Sequence, residues 1–88
     1  MKNNQTLMEF PCHFQIKIIG TNTDTFYTEV TTIARKYYPD TKDESISRKA
    51  SQQSNYVAIT ITLYVQDQST LDALYMELSR HPDIKMVL

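Results

Sequence analysis

Residues 55–65, "NYVAITITLYV", decide the fold. Side chains alternate across a β-strand, so Val57, Ile59, Ile61, Leu63 and Val65 share one face, while Tyr56, Ala58, Thr60, Thr62 and Tyr64 share the other. The first row is aliphatic and β-branched enough to be a core. The second row mixes tyrosine with threonine, and suits a solvated sheet face, a subunit seam or a binding platform. Strands on either side must then pair with this one, and something must cover its aliphatic row.

Working back toward the amino terminus, "PCHFQIKIIG" (11–20) shows the same alternation. Cys12, Phe14, Ile16 and Ile18 take one side and His13, Gln15, Lys17 and Ile19 the other. Pro11 is tolerated at a strand's entry, and Gly20 closes the run. The period changes in residues 21–40. Phe26, Val30, Ile33, Ala34 and Tyr37 fall at i, i+4, i+7, i+8 and i+11, the apolar stripe of a helix. Asn22 or Thr23 can cap that helix, Asp24 suits the positive end of its dipole, and Pro39 stops it. "ESISRKASQ" (44–52) places Ile46 and Ala50 on one parity against serines and a lysine on the other, as in an edge strand whose charges discourage foreign pairing. "QQSN" (52–55) is read as the hairpin connection into the central strand.

Toward the carboxyl terminus, Leu71, Leu74, Tyr75 and Leu78 restore the helical period, with Ser69 and Asp72 at the spacing of a capping box. His81 and Pro82 end that helix, a cation at position 81 complementing the dipole. "DIKMVL" (83–88) reads as a fourth strand with Ile84, Met86 and Leu88 facing the core. The order β-α-β-β-α-β predicts an α+β ferredoxin-like plait: a four-stranded antiparallel sheet with two helices on one face. Residues 1–88 are expected to form a single domain, with a loose segment over 1–9. The tyrosine and threonine row then lies on the face without helices.

Several stretches taken together, "EFPCHFQIKIIG", "SNYVAITITLYV" and "LYMELSRHPDIKMVL", resemble the YbeD-like family of small proteobacterial proteins, a family of unknown function. The pattern consists of Phe10-Pro11, Phe14, Lys17 and Gly20, then Asn55-Tyr56 ahead of a threonine-rich strand, then Tyr75, Leu78 and Met86-Val87-Leu88. The resemblance implies a plait similar to ACT regulatory domains and no established activity. It also implies a regulatory or accessory role near lipoate metabolism. ACT-like domains place a glycine in the first strand-to-helix turn and bind small effectors there. That likeness makes Gly20, Asn22, Thr23 and Asp24 candidate ligand residues, since N–H groups at a helix start can hold a carboxylate.

Composition bounds the function further. With 41% hydrophobic residues in 88, the chain can bury a modest core, and nine Lys and Arg against ten Asp and Glu leave a formal net charge of −1. No global field draws the chain to polyanions. Cys12 has no cysteine partner, and the first residues lack the apolar run of a secretion signal, so a cytoplasmic location and no membrane span are expected. Cys12 and His13 point to opposite faces of their strand and cannot act as a nucleophile and base; Cys12 is expected to be buried. A metal would need Cys12, His13, His81 and Asp83 to converge, and no paired ligand spacing favours it, so neither metal nor cofactor is implied.

The expected function is therefore non-enzymatic. It is regulatory or adaptor work through a protein partner, a homodimer or a small-molecule effector, with Tyr56, Thr60, Thr62 and Tyr64 as the candidate interface. The alternative is a nucleic-acid-binding module on the same face.

Overall fold

The computed structural model describes residues 9–51, 53 and 55–88. The loose segment expected over 1–9 therefore lies outside the described residues except for Glu9, as do positions 52 and 54 of the hairpin connection. The elements follow the expected order: β1 (Cys12–Thr21), α1 (Asp24–Tyr37), β2 (Ile46–Ala50), β3 (Tyr56–Val65), α2 (Gln68–Ser79) and β4 (Ile84–Val87), with a short 3-10 turn at Asp43–Ser45 before β2. The sheet order is β2-β3-β1-β4, with every neighbouring pair antiparallel. Both crossovers carry a helix, and both helices pack on the same face.

That packed face holds the aliphatic row. Ile59, Ile61, Leu63 and Val65 are fully buried, joined across the sheet by Ile16 and Ile18 and roofed by Phe26, Val30 and Ala34 of α1 and Leu74 and Leu78 of α2. Each large side chain withdrawn from water contributes about 1.5–3 kcal/mol, so this layer carries most of the stability. Thr31 also goes inside; its Oγ1 donates to the Thr28 carbonyl at 3.0 Å, which satisfies the hydroxyl locally. Cys12, expected to be buried, is only partly so, because it sits at the open end of β1.

Helix α1 starts where Thr23, in extended conformation, accepts the Phe26 N–H on its Oγ1 at 3.0 Å. It ends as Tyr38 N–H returns to the Ala34 carbonyl, one residue before Pro39. Helix α2 starts differently from expectation. Asp67, not Ser69, is its cap, accepting the Thr70 N–H at 2.7 Å, and that hydrogen bond holds the Asp67 carboxyl below its ordinary range. Ser69 is already inside the helix, and Asp72 accepts from Gln68 Nε2. A carboxylate two residues upstream is the better cap because its charge also meets the helix dipole.

The last strand corrects a second expectation. Ile18 pairs with Val87 and Ile19 with Met86, but Gly20 pairs with Ile84, so Lys85 is a bulge without an opposite residue. One inserted residue reverses the parity: Ile84 and Val87 pack against the core, while Met86 and Leu88 are 51% and 58% exposed. Met86 and Leu88 thus join the other face of the sheet.

Candidate functional site

The face without helices is assembled by register. Along β3 run Tyr56, Ala58, Thr60, Thr62 and Tyr64, and β1 sets Thr21, Ile19, Lys17, Gln15 and His13 opposite them in that order. From β2, Ser47 lies opposite Thr60 and Lys49 opposite Ala58; from β4, Met86 lies opposite Ile19. Leu88 exchanges backbone hydrogen bonds with Lys17, at 2.8 and 3.1 Å, and so falls on the same face. All four candidate interface residues are therefore coplanar. Tyr56 and Tyr64 are about half exposed, whereas Thr60 and Thr62 are half-buried between their neighbours.

The two tyrosines mark opposite ends of the surface, eight residues or about 27 Å apart at strand rise. The Tyr64 ring tilts 54° against His13 with centroids 5.1 Å apart. Beside it, a half-open polar cavity of about 400 Å³ is bounded by His13, Tyr38, Lys42, Thr62, Tyr64 and Asp67. At the other end, Tyr56, Ile19, Ala58 and Lys49 line a shallow, mainly apolar hollow of about 360 Å³.

The Gly20 to Asp24 turn sits at the Tyr56 end, since Thr21 is opposite Tyr56. Each candidate there has a structural task. Gly20 has no positive φ; it is buried, and a Cβ on it would fall 2.3 Å from Phe26 Cζ and 2.5 Å from the Asp83 carbonyl oxygen. The glycine is thus required by the Phe26 ring that lies on it. Asn22 N–H donates to the Asn55 carbonyl at 3.2 Å, Thr23 caps α1, and the Asp24 carboxylate stands 3.6 Å from the Arg48 guanidinium. Arg48 in turn lies over the Tyr27 ring at 4.3 Å, on the helix side of β2.

The same corner holds a bridge between residues 52 apart in sequence. His81 Nδ1 accepts the Asp83 N–H at 3.1 Å, which places the proton on Nε2, and Nε2 donates to Glu29 Oε1 at 2.6 Å. The ring also meets Phe26 edge-on, centroids 5.5 Å apart at 83°. His81 thus ties α1 to the α2–β4 turn in place of complementing a helix dipole. Potential metal-ligand atoms of Glu29, His81 and Asp83 lie within 4.8 Å of one another. Both ring nitrogens are already used, so a cation there would have to displace at least one of these hydrogen bonds. Cys12 and His13 sit at the far end of β1, about 27 Å away along the strand, so the four ligands considered from sequence do not meet.

A polar clasp joins the helices. Glu77 Oε1 accepts from Tyr37 Oη at 2.6 Å and from Lys36 Nζ at 2.9 Å. The tyrosine hydrogen bond, and then the lysine one, hold the Glu77 carboxyl below its ordinary value of 4.5, while Lys36 and Tyr37 are raised by the same bonds. A depressed carboxyl stabilises the fold above its unfolded value, and that contribution disappears as pH falls through the folded value. Glu77→Gln is expected to flatten the acid side of a melting-temperature profile below about pH 5 while leaving the curve's shape near neutrality unchanged. Parallel acid limbs for both proteins would show that the clasp contributes nothing.

The sequence profile described as "Protein of unknown function (DUF493)" matches residues 5–88. A UPF0250 protein of Chromobacterium violaceum is 37% identical over 96% of this chain and 94% of its own. Another, from Leptothrix cholodnii, is 38% identical over 96% and 92%. Among solved structures, protein HP0495 from H. pylori superposes with a TM-score of 0.70 at 14% identity, covering 92% of this chain and 85% of its own. The ACT domain from GTP pyrophosphokinase of Chlorobium tepidum superposes with a TM-score of 0.68 at 18% identity, covering 86% and 94%. These two likenesses concern the fold. Among the described residues, no helix is long and apolar enough to cross a membrane.

Proposed function

We propose, for a chain that belongs to the DUF493 family, a non-enzymatic regulatory or adaptor role exercised through protein–protein contact on the open sheet face. One observation carries this reading. Of the five large hydrophobic side chains exposed among the described residues, Tyr56, Tyr64, Met86 and Leu88 share that face, and only Met76 lies elsewhere. Scattered exposed apolar groups need no explanation, but their collection on one sheet face supports reading that face as an interaction surface.

Small-molecule control is the second reading, supported by the ACT-like fold and the position of Gly20, Asn22, Thr23 and Asp24 at the rim of the same face. An effector there would engage backbone groups at the start of α1 and would raise the melting temperature by mass action. A thermal-shift screen of amino acids against the folded protein tests it directly.

For the principal reading, Tyr56→Ala/Tyr64→Ala is the informative variant, because it removes contact area without adding charge. Each replacement is expected to cost about 0.5 kcal/mol of stability, as exposed substitutions do. The parent should retain a partner in affinity capture or a larger mass in light scattering; the double variant, still folded, should lose it. Identical masses and identical captured proteins for the two would mean that the face is simply solvated.

A further inference from the structure

The charges of this molecule are segregated in a way that identifies what the open face can accept. None of the ten Asp and Glu residues lies in a strand; they occupy the helices, their caps and the connections, with Glu9 ahead of β1. The open face instead presents Lys17 and Lys49, one on each side of β3, opposite Thr60 and Ala58 respectively. Two strand spacings and a two-residue offset put their Cα atoms about 12 Å apart. Both are exposed, and neither has an ion-pair partner among the described residues. Arg35, Lys36 and Arg48 are paired with Asp43, Glu77 and Asp24, while Lys42, Arg80 and Lys85 share the unpaired state of Lys17 and Lys49 among the described residues; what sets these two apart is their place on either side of the central strand.

We propose that the open sheet face docks a protein partner with an acid-rich surface, Lys17 and Lys49 being its two cationic anchors. This rests on the preceding reading that the face is an interface, and specifies its occupant. A second copy of the chain is a poor fit. Two-fold packing of this face on itself would bring four ammonium groups into one seam where no strand supplies a carboxylate, Asp67 standing only at the Tyr64 end, and unpaired buried charge is costly. A purely apolar partner leaves the same charges stranded. Single-stranded nucleic acid would offer phosphates, but a stacking platform is confined to the His13–Tyr64 ring pair at one end, with Tyr56 about 27 Å away, and the formal net charge of −1 supplies no general attraction for a polyanion. A protein surface bearing carboxylates among apolar groups meets the tyrosines, Met86 and Leu88 while pairing both lysines.

The test uses carbodiimide coupling, which joins a lysine amine directly to a carboxylate in contact with it. The full-length protein is the bait in native cell extract; the captured protein is identified, purified and recombined with it before coupling, and the linked peptides are sequenced. The expected result is an amide bond from Lys17 or Lys49 to an Asp or Glu of that protein. Lys17→Arg/Lys49→Arg should bind as the parent does but form no such bond. Lys17→Glu/Lys49→Glu should bind about 100-fold more weakly, roughly tenfold per reversed charge, and the parent's own affinity should fall as salt rises from about 0.05 to 0.5 M.

Coupling of these lysines to carboxylates of a second copy would overturn the proposal in favour of a homodimer. Ultraviolet cross-linking of Tyr56 or Tyr64 to nucleotides would overturn it in favour of nucleic acid. Undiminished binding by the charge-reversed variant would also overturn it, yet leave the interface standing if Tyr56→Ala/Tyr64→Ala still loses the partner. Loss of neither would sink both readings together, as would the parent capturing nothing.

Discussion

Phe26→Ala is expected to remove about 3–5 kcal/mol of folding stability, the range for deleting a fully buried aromatic ring. Phe26 is fully buried and occupies three junctions at once: it lies on Gly20 of β1, roofs the sheet from α1, and meets the His81 ring edge-on. Its loss opens a cavity that backbone cannot fill, because the Thr23 cap and the Asn22–Asn55 hydrogen bond fix the entry to α1. A domain of this size has only about 5–15 kcal/mol in total, so the variant should melt some 15 °C or more below the parent. Urea titration gives the free energy directly, and a shift worth less than about 1 kcal/mol, with the slope unchanged, would mean the ring is not a keystone.

The second large effect is Gly20→Ala, and its sign is the informative part. At ordinary negative φ, adding a methyl to glycine usually stabilises by about 0.4–1 kcal/mol, through lost freedom of the unfolded chain. Here the methyl would meet Phe26 Cζ at 2.3 Å and Cε1 at 2.8 Å, and the Asp83 carbonyl oxygen at 2.5 Å. Neither neighbour gives way cheaply, since one is a buried ring and the other is backbone. Overpacking of this kind costs about 1–3 kcal/mol or more, so a net loss of about 2 kcal/mol is expected. Gly20→Ala/Phe26→Leu should lose less than the sum of its parts, because the shortened side chain vacates space the methyl enters. Strict additivity in that cycle, or a stabilised Gly20→Ala, would show that the two residues do not share the site.

How much of this was legible from the chain depends on the range of the forces involved. The β3 alternation was readable because its period is local and uninterrupted, and all five residues of the aliphatic row went inward. The α1 stripe was readable for the same reason. Strand β4 was misread at Met86 and Leu88, because its parity is set by the Lys85 bulge, which arises in pairing with a strand more than sixty residues earlier. The α2 cap was misplaced by two residues: Ser69 fits the pattern, but Asp67 competes better through its charge.

At the candidate site, the coplanar row of Tyr56, Thr60, Thr62 and Tyr64 followed from period alone, whereas its lysine flanks needed the strand order. Gly20 drew notice as a strand end and a candidate ligand residue, whereas the close approach of Phe26, which requires a glycine there, comes from packing between elements. The His81–Glu29 bridge left no trace in the sequence, since nothing local connects a helix residue with a turn 52 positions away.

The rims of the sheet have a consequence for behaviour in concentrated solution. A strand donated by another molecule needs a straight run of outward backbone groups. At one rim β4 offers four residues kinked by the bulge, and at the other β2 offers five, carrying Arg48 and Lys49. Neither rim can template ribbon growth, since bulges twist an edge out of line and like cations repel an identical edge. The molecule can therefore leave one broad face uncovered at high concentration without seeding fibrils.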